Sequence, residues 1–266
     1  MEINELIGYF LAGLVGISLG LMGSGGSILT VPILVYVMGI SPVLATAYSL
    51  FIVGTTALTG TIKNVTDKKV DFKKVILFGI PSVISVFITR LFVVPNIPET
   101  LFNSGDFTIT KPTFIMFLFA LLMILAAISM LRPSKENSSE NVKISYSLLI
   151  VLGIAIGFVA GLVGAGGGFL IIPALVIIAK TPMKTAAGTS LCIVALQSLI
   201  GFLGDLQTNS EMDWNFLMRF ALVSVIGIFI GLALSKKIPG VKLKKGFGWF
   251  VIIVAVYIIT KEFFIY

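Results

Sequence analysis

Two glycine-rich strings determine how this chain is organised. They read Gly20-Leu-Met-Gly-Ser-Gly-Gly-Ser-Ile-Leu-Thr-Val-Pro32 and Gly161-Leu-Val-Gly-Ala-Gly-Gly-Gly-Phe-Leu-Ile-Ile-Pro173, and four glycines and the final proline recur at a constant offset of 141 residues. The match continues beyond the strings, because Ala45, Ser49 and Leu50 recur as Ala186, Ser190 and Leu191. The repetition predicts two homologous halves, 1–131 and 144–266, joined by a polar cytoplasmic linker, 132–143.

The composition places these halves in a membrane. The chain of 266 residues is 57% hydrophobic and 12% charged, whereas soluble domains are about 25% charged. This excludes an ordinary soluble protein and a nucleic-acid binder that relies on charge. Eight apolar runs are each long enough to cross a bilayer as a helix; they are 4–22, 43–62, 74–94, 113–131, 144–163, 183–203, 214–235 and 246–265. Two shorter segments, 27–40 and 168–180, follow the glycine strings.

The predicted fold class is therefore all-α, a polytopic helical membrane protein with two repeats of about five helical segments each. Most basic residues fall in the loops 63–74, 132–143, 180–184 and 236–245. If all ten segments cross, these loops share one side, which the positive-inside rule makes cytoplasmic. Five segments is an odd number, so the halves are predicted to be inverted relative to each other. Many secondary transporters of the cell (inner) membrane follow that plan, with a binding site near the midplane.

The residue inventory argues against an enzyme. The chain has no histidine and a single cysteine, Cys192, which excludes a Ser-His-Asp triad, the usual zinc and haem ligands, and a disulfide framework. No cofactor and no nucleic-acid partner are predicted. The expected partners are a small anionic substrate and the lipid bilayer. The identity of a coupling ion, a proton or sodium, and the oligomeric state stay open.

The second string, together with Ala186-Ala-Gly-Thr-Ser-Leu191 after it, resembles the TauE/SafE sulfite exporter family of membrane permeases. The first half departs from the pattern at Ser24 and Ser27. The resemblance implies a secondary transporter of small sulfur-containing anions, such as sulfite, sulfoacetate or another organosulfonate, that works by alternating access. An anion channel, or a carrier of an unrelated small solute, is the alternative.

The candidate substrate-binding residues are the glycine clusters and a set of polar side chains within spans. Backbone N–H groups at a helix start can bind an anion, although glycines also allow close helix packing, as expected for Gly153, Gly157, Gly161, Gly227 and Gly231. Ser49 and Thr56 lie seven residues apart on one helical face, and their counterparts are Ser190 and Gln197. The full set is Gly23, Ser24, Gly25, Gly26, Ser27, Ser49, Thr56, Gly164, Gly166, Gly167, Gly168, Ser190 and Gln197.

Four further residues are candidates for a gate or an electropositive vestibule: Asn64, Arg90, Asp205 and Arg219. The two arginines lie near the outer ends of spans, where they either snorkel to the surface or attract anions. Asp205, the counterpart of Asn64, either binds a proton or is a solvated loop residue. Freed carbonyls before Pro32 and Pro173 could coordinate sodium, or the prolines only kink their helices.

Overall fold

The computed structural model describes residues 3–104, 107–131, 145–208, 212–235 and 240–264. The predicted linker, 132–143, lies outside the described residues, as do Lys236 and Lys237 of the last basic loop.

Ten helical segments are described, five in each half. In the first half they are α1 (Ile3–Met22), α2 (residues 30–37), α3 (Pro42–Thr66), α4 (Phe72–Asn96) and α5 (Lys111–Leu131). In the second half they are α6 (Tyr146–Val163), α7 (Gly168–Ile178), α8 (Met183–Thr208), α9 (Trp214–Leu234) and α10 (Gly240–Phe264). Their bounds follow the apolar runs to within a few residues, apart from the start of α10, because those runs are the parts of the chain that gain from burial in lipid or protein.

Seven helical runs of the described residues are long and apolar enough to cross a membrane, which confirms a multi-pass helical membrane protein. The first run extends from Glu5 to Val37 over 33 residues, because a 3-10 helix, Gly23–Leu29, joins α1 to α2. The short segment expected at 27–40 is present as residues 30–37 and is joined to α1 through this 3-10 helix. The last expected span, 246–265, overlaps α10, which begins earlier, at Gly240, and is not among the seven; residue 265 lies outside the described residues.

Proline shapes both short helices in the same way. Pro32 ends an α-helical turn and is followed by a π-helix, Ile33–Val37. Pro173 is likewise followed by a π-helix, Ala174–Ile178. A proline has no N–H to donate to the carbonyl four residues earlier, so the hydrogen-bond register shifts after it.

A β-hairpin corrects the all-α prediction. Strands β1 (Thr100–Ser104) and β2 (Phe107–Thr110) pair antiparallel between α4 and α5, with Thr100 opposite Thr110 and Asn103 opposite Thr108. Threonine, phenylalanine and isoleucine favour extended backbone, and this connection is too short and too polar to form another span.

The two halves interlock. The most extensive contacts join α1 to α9, α3 to α8, α5 to α10, and α4 to α6, so every one of these pairs takes one helix from each half. Glycines permit the close approach: a Cβ at Gly227 would lie 2.3 Å from the carbonyl oxygen of Gly13, and one at Gly157 would lie 2.4 Å from that of Ser82. The close-packing interpretation of the glycines in α6 and α9 is confirmed, since lipid-embedded helices gain stability from such contacts.

The distribution of polarity is the reverse of that in a soluble protein. Large apolar side chains such as Leu6, Ile62 and Ile253 are more than 60% exposed on the helix surfaces, where lipid would cover them. Ser24, Ser49 and Thr56 are fully buried. The polar centre of the molecule lies between the halves, around the two glycine clusters.

Candidate functional site

The two glycine clusters meet inside the protein. The Ser24 hydroxyl donates a hydrogen bond of 3.0 Å to the carbonyl oxygen of Gly168, 144 residues away. A Cβ at Gly168 would lie 2.2 Å from the Ser24 carbonyl oxygen, so the two backbones are in direct contact. Residues 23–29 and 164–168 are all buried. The structure therefore brings together the two clusters that the sequence singled out separately.

Backbone conformation explains several of the glycines. Gly23 has a φ of +73°, and Gly164, Gly166 and Gly167 have φ values of +69°, +66° and +60°. These left-handed conformations are accessible to glycine at little cost and are unfavourable for residues with a Cβ. The second cluster is thus a tight turn between α6 and α7, while the first continues from Gly23 into the 3-10 helix.

Gln197 holds the second cluster in place. Its Nε2 donates to the carbonyl oxygen of Gly166, and its Oε1 accepts a hydrogen bond of 2.7 Å from the hydroxyl of Ser82 in α4. Gln197 was expected to bind substrate, but in the structure both ends of its amide are bonded to protein partners, Ser82 and Gly166. Ser190, its neighbour in the candidate set, donates instead to the carbonyl oxygen of Ala187 within its own helix.

Several buried hydroxyls have no hydrogen-bond partner among the described residues. Three are candidates from the sequence, namely Ser27, Ser49 and Thr56. Two were not singled out: Thr30, and Ser198, whose Oγ would lie 2.6 Å from a Cβ at Gly166. A buried hydroxyl without a partner costs about 1–3 kcal/mol. These donors are consequently available to oxygens of a bound solute.

Arg90 and Asp205 form a buried ion pair. Arg90 is 0% exposed, and its Nη1 lies 3.4 Å from Asp205 Oδ1 and 3.1 Å from the hydroxyl of Thr46, to which it donates. The Asp205 side chain is 3% exposed. Because both side chains are buried, Arg90 does not snorkel to the surface and Asp205 is not a solvated loop residue, contrary to those two interpretations. Their charges neutralise each other between α4 and α8.

The guanidinium of Arg90 also contacts the second glycine cluster. A Cβ at Gly164 would lie 2.2 Å from Arg90 Nη2 and 2.3 Å from the Cβ of Thr46. Sequence reasoning missed Thr46, whose position carries no charge and no motif. The pairing of Arg90 with Asp205 could have been predicted, because charged residues are rare inside apolar spans and those that occur usually have a partner of opposite charge.

The other two gate candidates are not part of this arrangement. The amide of Asn64 donates to the carbonyl oxygen of Gly60 in its own helix, at 2.9 Å. Arg219 is exposed on the surface of α9. Within the described part of the chain, no group of three histidine, cysteine or acidic residues lies close enough to hold a metal ion.

Comparison with known proteins agrees with this architecture. The family described as "Sulfite exporter TauE/SafE" matches residues 9–258. A "Probable membrane transporter protein" of Xylella fastidiosa (strain 9a5c) is 30% identical over 258 residues, which cover 94% of this chain and 93% of that protein. The "Probable membrane transporter protein YunE" of Bacillus subtilis (strain 168) is 27% identical, over 85% of this chain and 86% of its own length. The chain therefore belongs to the TauE/SafE family of membrane transporters.

Proposed function

We propose that this protein is a secondary carrier of small sulfur-containing anions, such as sulfite, sulfoacetate or another organosulfonate. It spans the cell (inner) membrane and exposes one central site to either side in turn. The observation that carries the proposal is the direct contact between the two glycine clusters, one from each half, with unpartnered hydroxyls at Ser27 in the first cluster and at Ser198 beside Gly166.

The carrier mechanism rests on an inverted repeat, and matched contacts support it. The backbone N–H of Asp71 donates to the Thr189 hydroxyl at 2.9 Å, and the backbone N–H of Asp213 donates to the Tyr48 hydroxyl at 2.7 Å. Tyr48 and Thr189 are 141 residues apart in sequence. Each aspartate also caps the helix that follows it, by accepting a hydrogen bond from a backbone N–H of the first turn.

A second matched pair lies at the clusters themselves. A Cβ at Gly23 would be 2.9 Å from the carbonyl oxygen of Ala187, and one at Gly164 would be 2.6 Å from that of Thr46. Both the glycines and their partners are related by the same offset of 141 residues. Alternating access operates in proteins whose two equivalent elements face each other across a central site, because one half can then move against the other around that fixed site.

Hydroxyl donors suit the proposed substrate. Sulfite and sulfonate groups present several oxygen acceptors, and Ser27, Ser49 and Thr56 each have a donor available inside the protein. The glycines of the clusters add backbone polar groups at positions that carry no side chain of their own. Gln197 and Ser24 then act by positioning the two clusters, since their polar atoms bond to cluster carbonyls.

Counterflow in proteoliposomes tests the proposal. Purified protein is reconstituted, loaded with unlabelled sulfite or sulfoacetate, and supplied outside with labelled sulfoacetate. A carrier takes up label faster when the inside is loaded, because the loaded site returns faster than the empty one. Uptake that does not respond to internal substrate would support the channel alternative. Uptake of acetate but of neither sulfur compound would refute the substrate class.

A further inference from the structure

Only one of the three guanidinium nitrogens of Arg90 has a hydrogen-bond partner among the described residues. Its Nη1 contacts Thr46 and Asp205, whereas its Nε and Nη2 have no hydrogen-bond partner among the described residues. The side chain is 0% exposed, so water from bulk solvent does not reach these donors in this conformation. Unpartnered buried donors are uncommon in proteins and call for an explanation, above all on a charged group.

The two unengaged nitrogens have a specific geometry. Nε–H and one N–H of Nη2 point in parallel along one edge of the planar guanidinium. This edge binds two oxygens of a carboxylate, phosphate or sulfonate at once, which is the strong two-point mode of arginine. Thr46 and Asp205 lie at Nη1, away from that edge, so the ion pair does not use its donors; in this conformation Nη2 packs against Gly164.

We propose that the Nε–Nη2 edge of Arg90 is the receptor for the oxyanion group of the substrate, and that Asp205 is the resident counter-ion that neutralises Arg90 when the edge is empty. This inference rests on the proposed function and adds the residue that recognises the negative charge. The ligand class is a small oxyanion with at least two oxygens on one atom, such as sulfite or a sulfonate.

The position of Arg90 ties the receptor to movement of the halves. Arg90 and Thr46 belong to the first half, and Asp205 and Gly164 belong to the second. The Arg90 stem also lies against the second half, because a Cβ at Gly204 would be 3.0 Å from the Arg90 Cβ. A shift of one half relative to the other therefore separates Nη2 from Gly164 and opens space beside the edge for an anion.

The receptor is present in one half only. The residues 141 and 142 positions after Arg90 are Gly231 and Leu232, which carry no charge. The counterpart of Asp205 is Asn64, a neutral amide bonded within its own helix. The repeat thus supplies one positive charge to the shared centre, and we expect one anion to bind per transport cycle.

Two substitutions with opposite expected effects test the receptor. The full-length protein is purified in detergent and titrated with sulfite and, separately, methanesulfonate, and the dissociation constant is measured by calorimetry. We expect Arg90→Lys to bind either anion at least tenfold more weakly, because an ammonium lacks the two-point edge. We expect Asp205→Asn to bind at least threefold more tightly, because the charge of Arg90 is then no longer neutralised by a carboxylate. Lys184→Gln, which removes an exposed charge, serves as the control and should bind as the wild type does.

The outcomes separate this inference from the proposed function. If both variants weaken binding by similar factors, the ion pair is only a cross-link between halves and the receptor is refuted. If Arg90→Lys does not fold, Asp205→Asn decides alone, and unchanged or weaker binding overturns the inference. A wild-type protein that binds neither anion refutes the substrate class and the receptor together. Wild-type binding with unchanged affinity in both variants refutes the receptor and leaves the carrier in place.

Discussion

Thr56 offers a substitution in which stability and transport should respond in opposite directions. Its hydroxyl is fully buried in α3 and has no partner among the described residues. Thr56→Val keeps the shape and removes the hydroxyl, which relieves a desolvation cost of about 1–3 kcal/mol. We expect the thermal stability of the purified protein to stay the same or rise. A hydrogen bond to a charged group contributes about 1.5–3 kcal/mol, so the KM for the anion should rise by roughly tenfold to a hundredfold.

Thr61→Val in the same helix is the matched control. Thr61 is 7% exposed, and its hydroxyl already donates to the carbonyl oxygen of Ala57 at 2.8 Å. Its replacement by valine should leave the KM of counterflow within about twofold of the wild type. An unchanged KM in Thr56→Val, or a loss of stability like that expected for a bonded hydroxyl, would refute a substrate contact at Thr56.

Two further predictions concern the second cluster and a basic loop. Gly164→Ala should lower the melting temperature for two reasons: a left-handed backbone costs about 1–2 kcal/mol for a residue with a Cβ, and the new Cβ would overlap Arg90 and Thr46. Gly25→Ala is the control. Its Cβ would make only ordinary contacts near 3.8 Å, so this variant should fold like the wild type. Hydrogen bonds from Lys69 and then Lys63 lower the pKa of Asp67, so this carboxylate stabilises the fold above the ordinary aspartate pKa and loses that effect as the pH falls through the lowered value. A carbon-13 titration should show the Asp67 pKa rising in Lys69→Ala, and no change would contradict the assigned cause.

The contacts between the two halves restrict how one half can move relative to the other. The four most extensive helix contacts each join one half to the other, so one half can shift against the other only while these pairs stay together. The loop at Asp71 contacts α8 through Thr189, and the loop at Asp213 contacts α3 through Tyr48. In the proposed topology these loops lie on opposite sides of the membrane. A rocking motion would then loosen one contact while the other is retained, without breaking the helix pairs.

Part of the candidate site could be read from the sequence because it repeats. The glycine clusters, Ser49, Thr56 and Gln197 all lie at matched positions or next to the repeated motif. The hairpin formed by Thr100–Ser104 and Phe107–Thr110 was missed, since two short strands of mixed polarity between two spans resemble any loop. The 3-10 helix at Gly23–Leu29 was missed because a glycine-rich string predicts a break rather than a tighter helix.

The amino-acid order alone determined that this is a helical membrane protein and showed that its glycine strings recur, because the length and apolarity of a span and the spacing of glycines can be read along the chain. It did not determine which residues meet. Arg90 and Asp205 are 115 positions apart, and Ser24 and Gly168 are 144 apart. Only the packing of one half against the other brings such residues together, since the partner of a buried polar group is set by helix crossings that leave no periodic trace in sequence.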